Sequence, residues 1–477
     1  MILIRDVGTI VTMDDKRRLL KGHSVFIREG KISAIEPTDQ LDALLQTQNL
    51  HGVTIIDGSE SVLLPAFINT HVHTFEHLSR GLIPDDLSTF QWASEYANPF
   101  CASLTEDEAY CSAKLACLEM ISNGTGCFVD VNILGSLGHV DAIAQAVEDS
   151  GMRAILGRGV TDLWPDDMPD ITPPLKAALW HSSASEALGE IHSLLSRGTS
   201  RAGGRVQLWA SIYGLTFFSS DELLKGVRSC ANHYNTPLAF HISSSREEAA
   251  LSLRTHGVWP ITRLEHLSVL GPDVLLTHCT LVNDHEVAIM AERDAKVAFC
   301  PAAALRLAKG TTQVGKIPEM IESGICVSLG ADGASSNGIF DPLRLANLTS
   351  GLYKDARFDP SLVSAETALE LITREGARAI QAEALLGSIE VGKLADLTLF
   401  DSTGPEWAPG HDIPRTMIYS VDGRSIDTVI IAGEIVFQNR QCNSMNSRQV
   451  IDEAREIAAR IAHRLGLDPR PRWPTIR

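Results

Sequence analysis

The sequence predicts an α/β fold, a (β/α)₈ (TIM) barrel with a small β-sandwich-like domain built from both termini. Eight apolar, strand-like runs alternate with helical patterns through the middle of the chain. The runs are apolar on both faces, as in a parallel sheet. The two ends carry shorter alternating strands instead. An open doubly wound sheet is the alternative, but no Gly-x-Gly-x-x-Gly loop follows the first strand.

The eight predicted barrel strands are 62–69, 126–130, 153–157, 206–210, 237–241, 274–278, 296–300 and 324–329. Near the N-terminus, runs 24–28 and 31–35 flank Glu29-Gly30, which predicts a hairpin. Near the other end of the chain, runs 395–400 and 428–437 show the same short strand-like pattern. The small β domain is predicted to combine residues 1–58 and 386–440, with the barrel over 59–385 and a helix and tail over 441–477.

The composition is that of a soluble globular protein, with 44% hydrophobic and 21% charged residues. The net charge of −18 argues against nucleic-acid binding, because such proteins carry basic patches. No apolar run is long enough to span a membrane, and the first residues lack a signal-peptide core. The 9 cysteines include no Cys-x-x-Cys pair, which predicts free thiols and a cytoplasmic location.

Histidines and an aspartate follow four of the predicted strands. His71 and His73 follow the first, and side chains two apart on a strand share a face. His241 and His278 end the fifth and sixth, and Asp332 follows the eighth. A single histidine at a strand end is usually structural. Barrel chemistry occurs at the carboxyl ends of the strands, so the convergence of these groups predicts a metal site.

Four motifs resemble the amidohydrolase superfamily, in the branch of cytosine, guanine and S-adenosylhomocysteine deaminases and s-triazine chlorohydrolases. The resemblance covers nearly the whole chain. The motifs are PAFINTHVH at 65–73 followed by Arg80-Gly81, LTHC at 276–279, GADGASSN at 330–337 and LGSIEVGKLAD at 386–396.

The resemblance implies one divalent metal ion held by His71, His73, His241 and Asp332. Zinc suits three imidazoles and a carboxylate best, although Fe²⁺, Mn²⁺ or Co²⁺ fit the same set. Asp332 would take a proton from the attacking water, and His278 would contact that water or the substrate oxygen. The fourth predicted strand offers no lysine for a second metal. The resemblance also implies a homo-oligomer, a dimer or tetramer.

The chain departs from this pattern in two places. Ser244 stands where the deaminase branch has the glutamate of His-x-x-Glu, which passes a proton to a ring nitrogen. Glu247 or Glu248 could replace that glutamate only if the loop bends back, and exposed positions on the following helix are expected instead. After the seventh strand, the small apolar run 300–304 replaces a polar motif, and Arg306 is the nearest polar side chain.

These departures favour hydrolysis of an amide, urea, carbamate or amidine C–N bond in a small molecule, using water activated by the metal. The alternative is a deaminase or dechlorinase of a heteroaromatic ring, nucleobase-like or s-triazine-like. A different class is an inactive relative that only binds metal, against which the complete ligand set argues. Candidate substrate-binding residues are Trp92, Trp164, Tyr213, Phe217 and Ser244.

Three further expectations concern elements outside the ligand set. Segment 162–174, rich in Pro and Asp, is predicted to be a loop, with a lid over the site as the functional alternative. Residues 447–465 are predicted to form an amphipathic helix that packs on the body. Cys127, Cys279, Cys300 and Cys326 are predicted to fill the core.

Overall fold

The computed structural model describes residues 1–47, 52–164, 173–215, 218–468 and 473. Its centre is an α/β barrel whose strands pair in parallel in chain order. We number these barrel strands one to eight: Phe67–Asn69, Thr125–Ile133, Arg153–Arg158, Val206–Leu208 continued by Ala210–Gly214, Leu238–Ile242, Val274–His278, Lys296–Phe299 and Val327–Leu329.

The barrel strands form two parallel arrays, and hydrogen bonds cross both seams between them. Trp209 interrupts strand four, and its N–H donates to the carbonyl of Leu156 in strand three at 2.9 Å. At the other seam, the N–H of Thr70 donates to the carbonyl of Leu329 at 3.0 Å. Two-residue strands Val72–His73 and Asp332–Gly333 pair in parallel just beyond this seam. The ends of strands one and eight are therefore neighbours.

Helices follow the barrel strands and cover them. Helix Glu106–Ser122 begins with a capping box between Thr105 and Glu108, which satisfies backbone N–H groups that lack helical partners. Helix Leu137–Ser150 ends at Gly151, whose φ of 81° suits a left-handed cap. The remaining long helices around the barrel are Ala184–Leu195, Asp221–Tyr234, Arg246–His256, Asp284–Glu292 and Pro342–Arg357, with shorter ones at Pro260–His266, Pro301–Arg306, Thr311–Val314, Ile317–Glu322, Ala365–Leu371 and Arg374–Ala379.

The first predicted strand, 62–69, is wrong as a single element, because it forms two strands in two sheets. Ser61–Pro65 pairs with Leu397–Asp401 outside the barrel, and Phe67–Asn69 is barrel strand one. Pro65 has no N–H, and the N–H of Ala66 donates to the carbonyl of Asp396 at 2.9 Å. The chain changes sheets at this point.

Strands from both ends of the chain build a second, β-rich unit, which we call the terminal lobe. The predicted hairpin is present, with Arg28 paired to Lys31 across Glu29-Gly30. An apolar core lies among its strands, and it includes Ile4, Leu63 and Leu397. The four-stranded sheet contains Lys31–Pro37, His23–Arg28, Ile2–Val7 and Thr54–Asp57, and the seven-stranded sheet contains Gln441–Cys442, Glu434–Gln438, Ile426–Ile431, Leu397–Asp401, Ser61–Pro65, Thr9–Val11 and Leu19–Leu20.

A buried ion pair joins the lobe to the barrel. Arg153 at the start of barrel strand three donates to both carboxylate oxygens of Asp396, at 2.6 and 3.1 Å. The same carboxylate accepts from the N–H of Ala432 at 2.8 Å. Both side chains of the pair are almost fully buried. The predicted C-terminal helix is present as Ser447–Leu465, and Arg464 pairs with Glu108 on the barrel side.

The segment predicted as a loop, 162–174, lies only partly within the described residues, because 165–172 fall outside them. At its end the prediction is wrong, since helix Pro173–Leu179 begins there. Proline is well tolerated in the first turn of a helix, where its missing N–H has no helical partner. No helix in the described ranges is both long and apolar enough to cross a membrane.

Candidate metal centre

The structure brings His71, His73, His241, His278 and Asp332 together at the carboxyl ends of the barrel strands. All five are buried. His71 lies just outside a strand, between Phe67–Asn69 and Val72–His73, so the predicted shared strand face is not what aligns it with His73. The parallel pairing of His73 with Gly333 instead places this segment beside Asp332.

Four of these side chains point their ligand atoms at one another. The Nε2 atom of His241 lies 3.2 Å from Nε2 of His71 and 3.2 Å from Nε2 of His73. Oδ1 of Asp332 lies 3.4 Å from Nε2 of His73 and 3.8 Å from Nε2 of His71. Ligands at zinc bonding distance in a tetrahedron are about 3.3 Å apart. The donor set and its spacing therefore fit a small divalent cation.

Two of the three outward nitrogens are held by the ends of neighbouring strands. Nδ1 of His241 lies 2.8 Å from the carbonyl of Tyr213, which fixes its ring and leaves Nε2 without a proton. Nδ1 of His71 lies 3.4 Å from the hydroxyl of Thr277. For His241 and His71 this is the support that metal-binding histidines usually receive. Nδ1 of His73 lies 3.9 Å from Oδ1 of Asp130, too far for a hydrogen bond, and neither atom has a hydrogen-bond partner among the described residues.

Burial keeps the imidazoles neutral, as a metal ligand must be. It lowers the pKa of His73 to about 3, with the charge of Lys309 acting in the same direction. It lowers the pKa of His241 to about 3, helped by His73. The pKa values of His71 and His278 also fall well below 6.5, mainly through burial. At neutral pH all four rings offer a lone pair.

Two of the site residues have strained backbones. His278 has φ of 78° and Asp332 has φ of 66°, in the left-handed region that non-glycine residues seldom adopt. Such a conformation costs about 1–3 kcal/mol and persists where the surroundings impose it, often at functional sites. His278, Cys300 and Asp332 offer ligand atoms within 4.8 Å of one another. His278 therefore lies beside the four-residue set rather than in its centre.

Two buried carboxyl groups near the site escaped the sequence analysis. Burial and the charge of Asp332 raise the pKa of Glu76 to about 8, and its Oε2 accepts from the hydroxyl of Ser335 at 2.5 Å. Burial raises the pKa of Asp130 to about 7, and Asp130 accepts from the N–H of Thr74 at 3.0 Å. Glu76 follows His73 by three residues, which is the one signal that pointed to it.

The carboxyl ends of the barrel strands, with the loops that follow them, form what we call the rim. The predicted substrate-binding aromatics are spread around it. The Tyr213 ring lies 6.3 Å from that of His241, and its hydroxyl accepts from Asn98 at 2.7 Å. Trp92 donates to the hydroxyl of Ser335 at 3.1 Å, which links it to Glu76. Trp164 stacks on Phe218 with ring centroids 5.0 Å apart. Phe217 lies outside the described residues.

The surroundings of Ser244 differ from those expected. Ser244 is buried, and its hydroxyl accepts from Nζ of Lys309 at 2.8 Å. Glu248, predicted to be exposed, is fully buried, and its carboxylate accepts from the N–H of Ser244 at 2.7 Å. Glu248 lies in the first turn of helix Arg246–His256, from which its side chain reaches back. Glu247 is exposed, as predicted.

Lys309 is a third residue near the site that the sequence analysis missed. It follows the apolar segment after barrel strand seven, and it is 6% exposed. No spacing rule links a lysine in that loop to a serine after strand five. A cavity of about 750 Å³ reaches it, lined also by Asp86, Ser245, Arg246 and Arg306. None of the four candidate metal ligands lines this cavity. Lys309 both lines the cavity and contacts Ser244 at the end of barrel strand five, so it connects the cavity with the candidate metal centre.

Relatives and solved structures resemble this chain over nearly its full length. The chain is 32% identical over 456 residues to a 5′-deoxyadenosine deaminase of Methanobrevibacter smithii, covering 95% of this chain and 97% of the relative. It is 32% identical over 408 residues to a 5-methylthioadenosine/S-adenosylhomocysteine deaminase of Syntrophomonas wolfei, covering 85% and 88%.

Among solved structures, a zinc-bound adenosine deaminase of Xanthomonas campestris is 25% identical, with a TM-score of 0.83, and covers 97% of this chain and 98% of its own. An atrazine chlorohydrolase of Arthrobacter aurescens TC1 complexed with zinc is 21% identical, with a TM-score of 0.85, and covers 96% and 100%. The amidohydrolase family model matches residues 62–436, which include every residue of the candidate metal centre. This chain belongs to the amidohydrolase family.

Proposed function

We propose that this protein is a metal-dependent hydrolase that cleaves a C–N bond of a small organic molecule. The observation that carries the proposal is the approach of three imidazoles and one carboxylate at the carboxyl ends of the barrel strands. Nε2 of His241 lies 3.2 Å from Nε2 of His71 and of His73, and Oδ1 of Asp332 lies 3.4 and 3.8 Å from Nε2 of His73 and of His71. His71, His73, His241 and Asp332 would hold one divalent ion. Zinc is the metal we propose, supported by the three-imidazole donor set and by the zinc-bound solved structures.

A divalent ion held there would make water acidic enough to supply a nucleophile near neutral pH. The carboxylate of Asp332 would take the proton from the attacking water and would later deliver it to the leaving nitrogen. His278 is neutral at this pH, so its N–H donates a hydrogen bond to the atom of the substrate that gains negative charge. The buried rim excludes bulk water, which strengthens both interactions.

For the substrate, we favour an amide, urea, carbamate or amidine. Ser244 supports this choice of substrate. A serine hydroxyl is a poor acid–base group near neutral pH, so it cannot shuttle a proton to a ring nitrogen. A heteroaromatic ring is the second candidate. The names of the relatives favour deamination of such a ring, and the chlorohydrolase structure favours dechlorination.

The proposal extends to location and assembly. A cytoplasmic location is supported by the 9 cysteines, all of which are free thiols. Assembly as a homo-oligomer, a dimer or tetramer, is supported by the family resemblance alone. Size-exclusion chromatography with light scattering would test it.

Metal analysis of the purified protein, paired with the Asp332→Asn variant, tests the proposal. We expect about one zinc per chain and a loss of turnover of 100-fold or more in the variant, because proton transfer contributes about 10²–10⁴-fold. Asp273→Asn is the matched control, since Asp273 lies at the opposite end of the barrel and pairs with Arg228. A His71→Ala/His73→Ala double variant that keeps its full metal content would contradict the ligand assignment.

Ammonia, amine and chloride release across one panel separates the candidate substrates. The panel contains N-carbamoyl and N-acyl amino acids, anilides, 5′-deoxyadenosine and atrazine. We expect release from an amide- or urea-type compound. Release from 5′-deoxyadenosine or atrazine would favour the ring candidate, and the gain of ring deamination in Ser244→Glu would show that the missing glutamate sets the preference.

A further inference from the structure

Lys309 is a buried cation that no carboxylate neutralises directly. Its Nζ donates to the hydroxyl of Ser244, and no carboxylate oxygen of the described residues lies within ion-pair distance of it. An ammonium group has three protons to donate, so two have no partner within the described ranges of the chain. A buried charge without a counter-ion is costly and usually marks function.

A backbone turn at Ala308 directs the side chain of Lys309 into the protein interior. Ala308 has φ of 50°, in the left-handed region, and the N–H of Lys309 donates to the carbonyl of Ala304 at 2.9 Å. This turn ends helix Pro301–Arg306 and directs the next residue inward. Half-buried Lys316, by contrast, pairs with Asp284. The inward position of Lys309 is therefore specified locally.

The charge of Lys309 acts on the candidate metal centre. It lowers the pKa of His73 and His278, in each case after the larger effect of burial. Burial lowers the pKa of Lys309 itself, and Asp332 opposes this. Ser244, its partner, lies three residues after His241. Lys309 thus contacts the residue that stands where the related deaminases have a glutamate.

The group at that position faces an atom bonded directly to the attacked carbon, since in the deaminase branch it serves the ring nitrogen. A glutamate there can both accept and donate, whereas an ammonium only donates. The preferred partner of a desolvated ammonium is a negatively charged oxygen. A neutral purine nucleoside offers no such oxygen at its reacting carbon.

We propose that Lys309, positioned by Ser244, binds a carboxylate-type oxygen of the substrate beside the scissile C–N bond, so that the enzyme selects anionic substrates. The inference rests on the proposed function, because it concerns the same rim. The cavity that Lys309 lines provides the path. Its wall carries Arg246 and Arg306 but also Asp85, Asp86 and Glu247, so the charge that selects an anion is that of Lys309 itself. The substrate class is therefore a small acid, such as an N-acyl or N-carbamoyl amino acid.

Calorimetric titration of the zinc-loaded full-length protein at pH 7 tests this with matched probes, acetate against acetamide and benzoate against benzamide. We expect at least one carboxylate to bind ten times more tightly than its amide. Lys309→Met should lower the affinity for that carboxylate at least tenfold and leave the affinity for the amide unchanged. Lys309→Arg should bind the carboxylate within about threefold of the wild-type affinity. Lys296→Met is the control, because Lys296 is also buried but begins barrel strand seven, at the end opposite to Lys309.

Equal carboxylate binding by Lys309→Met and the wild type would overturn the inference, as would the absence of any carboxylate preference. If Lys309→Met fails to fold, Ser244→Ala replaces it, with an expected three- to tenfold weakening and zinc content unchanged. Hydrolysis of C–N bonds without Lys309-dependent anion binding would overturn this inference alone. Anion binding through Lys309 in a protein that hydrolyses no C–N bond would overturn the proposed function alone.

Discussion

At the scale of single residues, the rim is unusual for the number of titratable side chains that it buries. Neutral histidines, the carboxyl groups of Glu76 and Asp130, and the ammonium of Lys309 lie within one cluster of strand ends. Each carries a desolvation cost that a packed apolar core would avoid. Such a concentration of shifted pKa values is characteristic of functional sites.

Glu76 gives the metal-free protein a measurable pH dependence. Its folded pKa is about 8, against 4.5 in the unfolded chain. Between these values the unfolded chain has released the proton and the folded protein has kept it, so stability falls as pH rises from 4.5 to 8. Glu76→Gln removes this slope, which is about 1 kcal/mol per pH unit. Urea unfolding at pH 5.5 and 7.5 measures it, and parallel pH profiles would refute the assignment.

At the scale of elements, the junction of barrel strands four and five fixes His241. Gly214 has φ of 82°, and a Cβ there would lie 2.5 Å from the backbone N and O of His241. Gly214→Ala should therefore move this strand end, cost about 1–3 kcal/mol of unfolding free energy and weaken zinc binding. Thermal melting and metal content would show both effects.

Gly189 is the control for that substitution. It lies inside helix Ala184–Leu195, and a Cβ there would meet open space. Gly189→Ala should stabilise the protein by about 0.5–1 kcal/mol, since alanine has the higher helix propensity. An equally harmless Gly214→Ala would mean that the backbone of His241 is not tightly held.

Much of the fold was predictable because barrel strands are apolar runs of definite length separated by helices. Strands five and six, with His241 and His278 at their ends, follow directly from that pattern. The change of sheet at Ala66 was not predictable, since both halves of the run are apolar. Burial of Glu248 was missed because it depends on the side chain reaching back to the N–H of Ser244, which helical periodicity does not predict. The contact of Lys309 with Ser244 was missed because the two residues are distant in sequence.

At the scale of the whole molecule, the Arg153–Asp396 pair makes the lobe and the barrel interdependent. Asp396→Asn should leave Arg153 buried without a counter-ion and cost about 3–5 kcal/mol. The double variant Arg153→Met/Asp396→Leu should recover most of that loss, because apolar residues can replace a buried pair. Chemical denaturation of the three proteins would measure this.

The exposed pair Arg197–Asp141 serves for comparison, with about half of each side chain accessible to solvent. Asp141→Asn should cost less than about 1 kcal/mol. A similarly small loss in Asp396→Asn would mean that water reaches the buried pair and that the two units hold together by apolar contact alone.

The single residue between Ser61–Pro65 and Phe67–Asn69 has a consequence for recombination among relatives. The lobe strand is flanked by Thr9–Val11 and Leu397–Asp401, while its continuation leads within a few residues to His71 and His73. A chimaera that exchanged the barrel but kept the host lobe would have to be spliced at Ala66, and any mismatch in register there would be transmitted to the ligands. Functional hybrids should therefore inherit strand Ser61–Pro65, and the partners that flank it, from the same parent as the candidate metal centre.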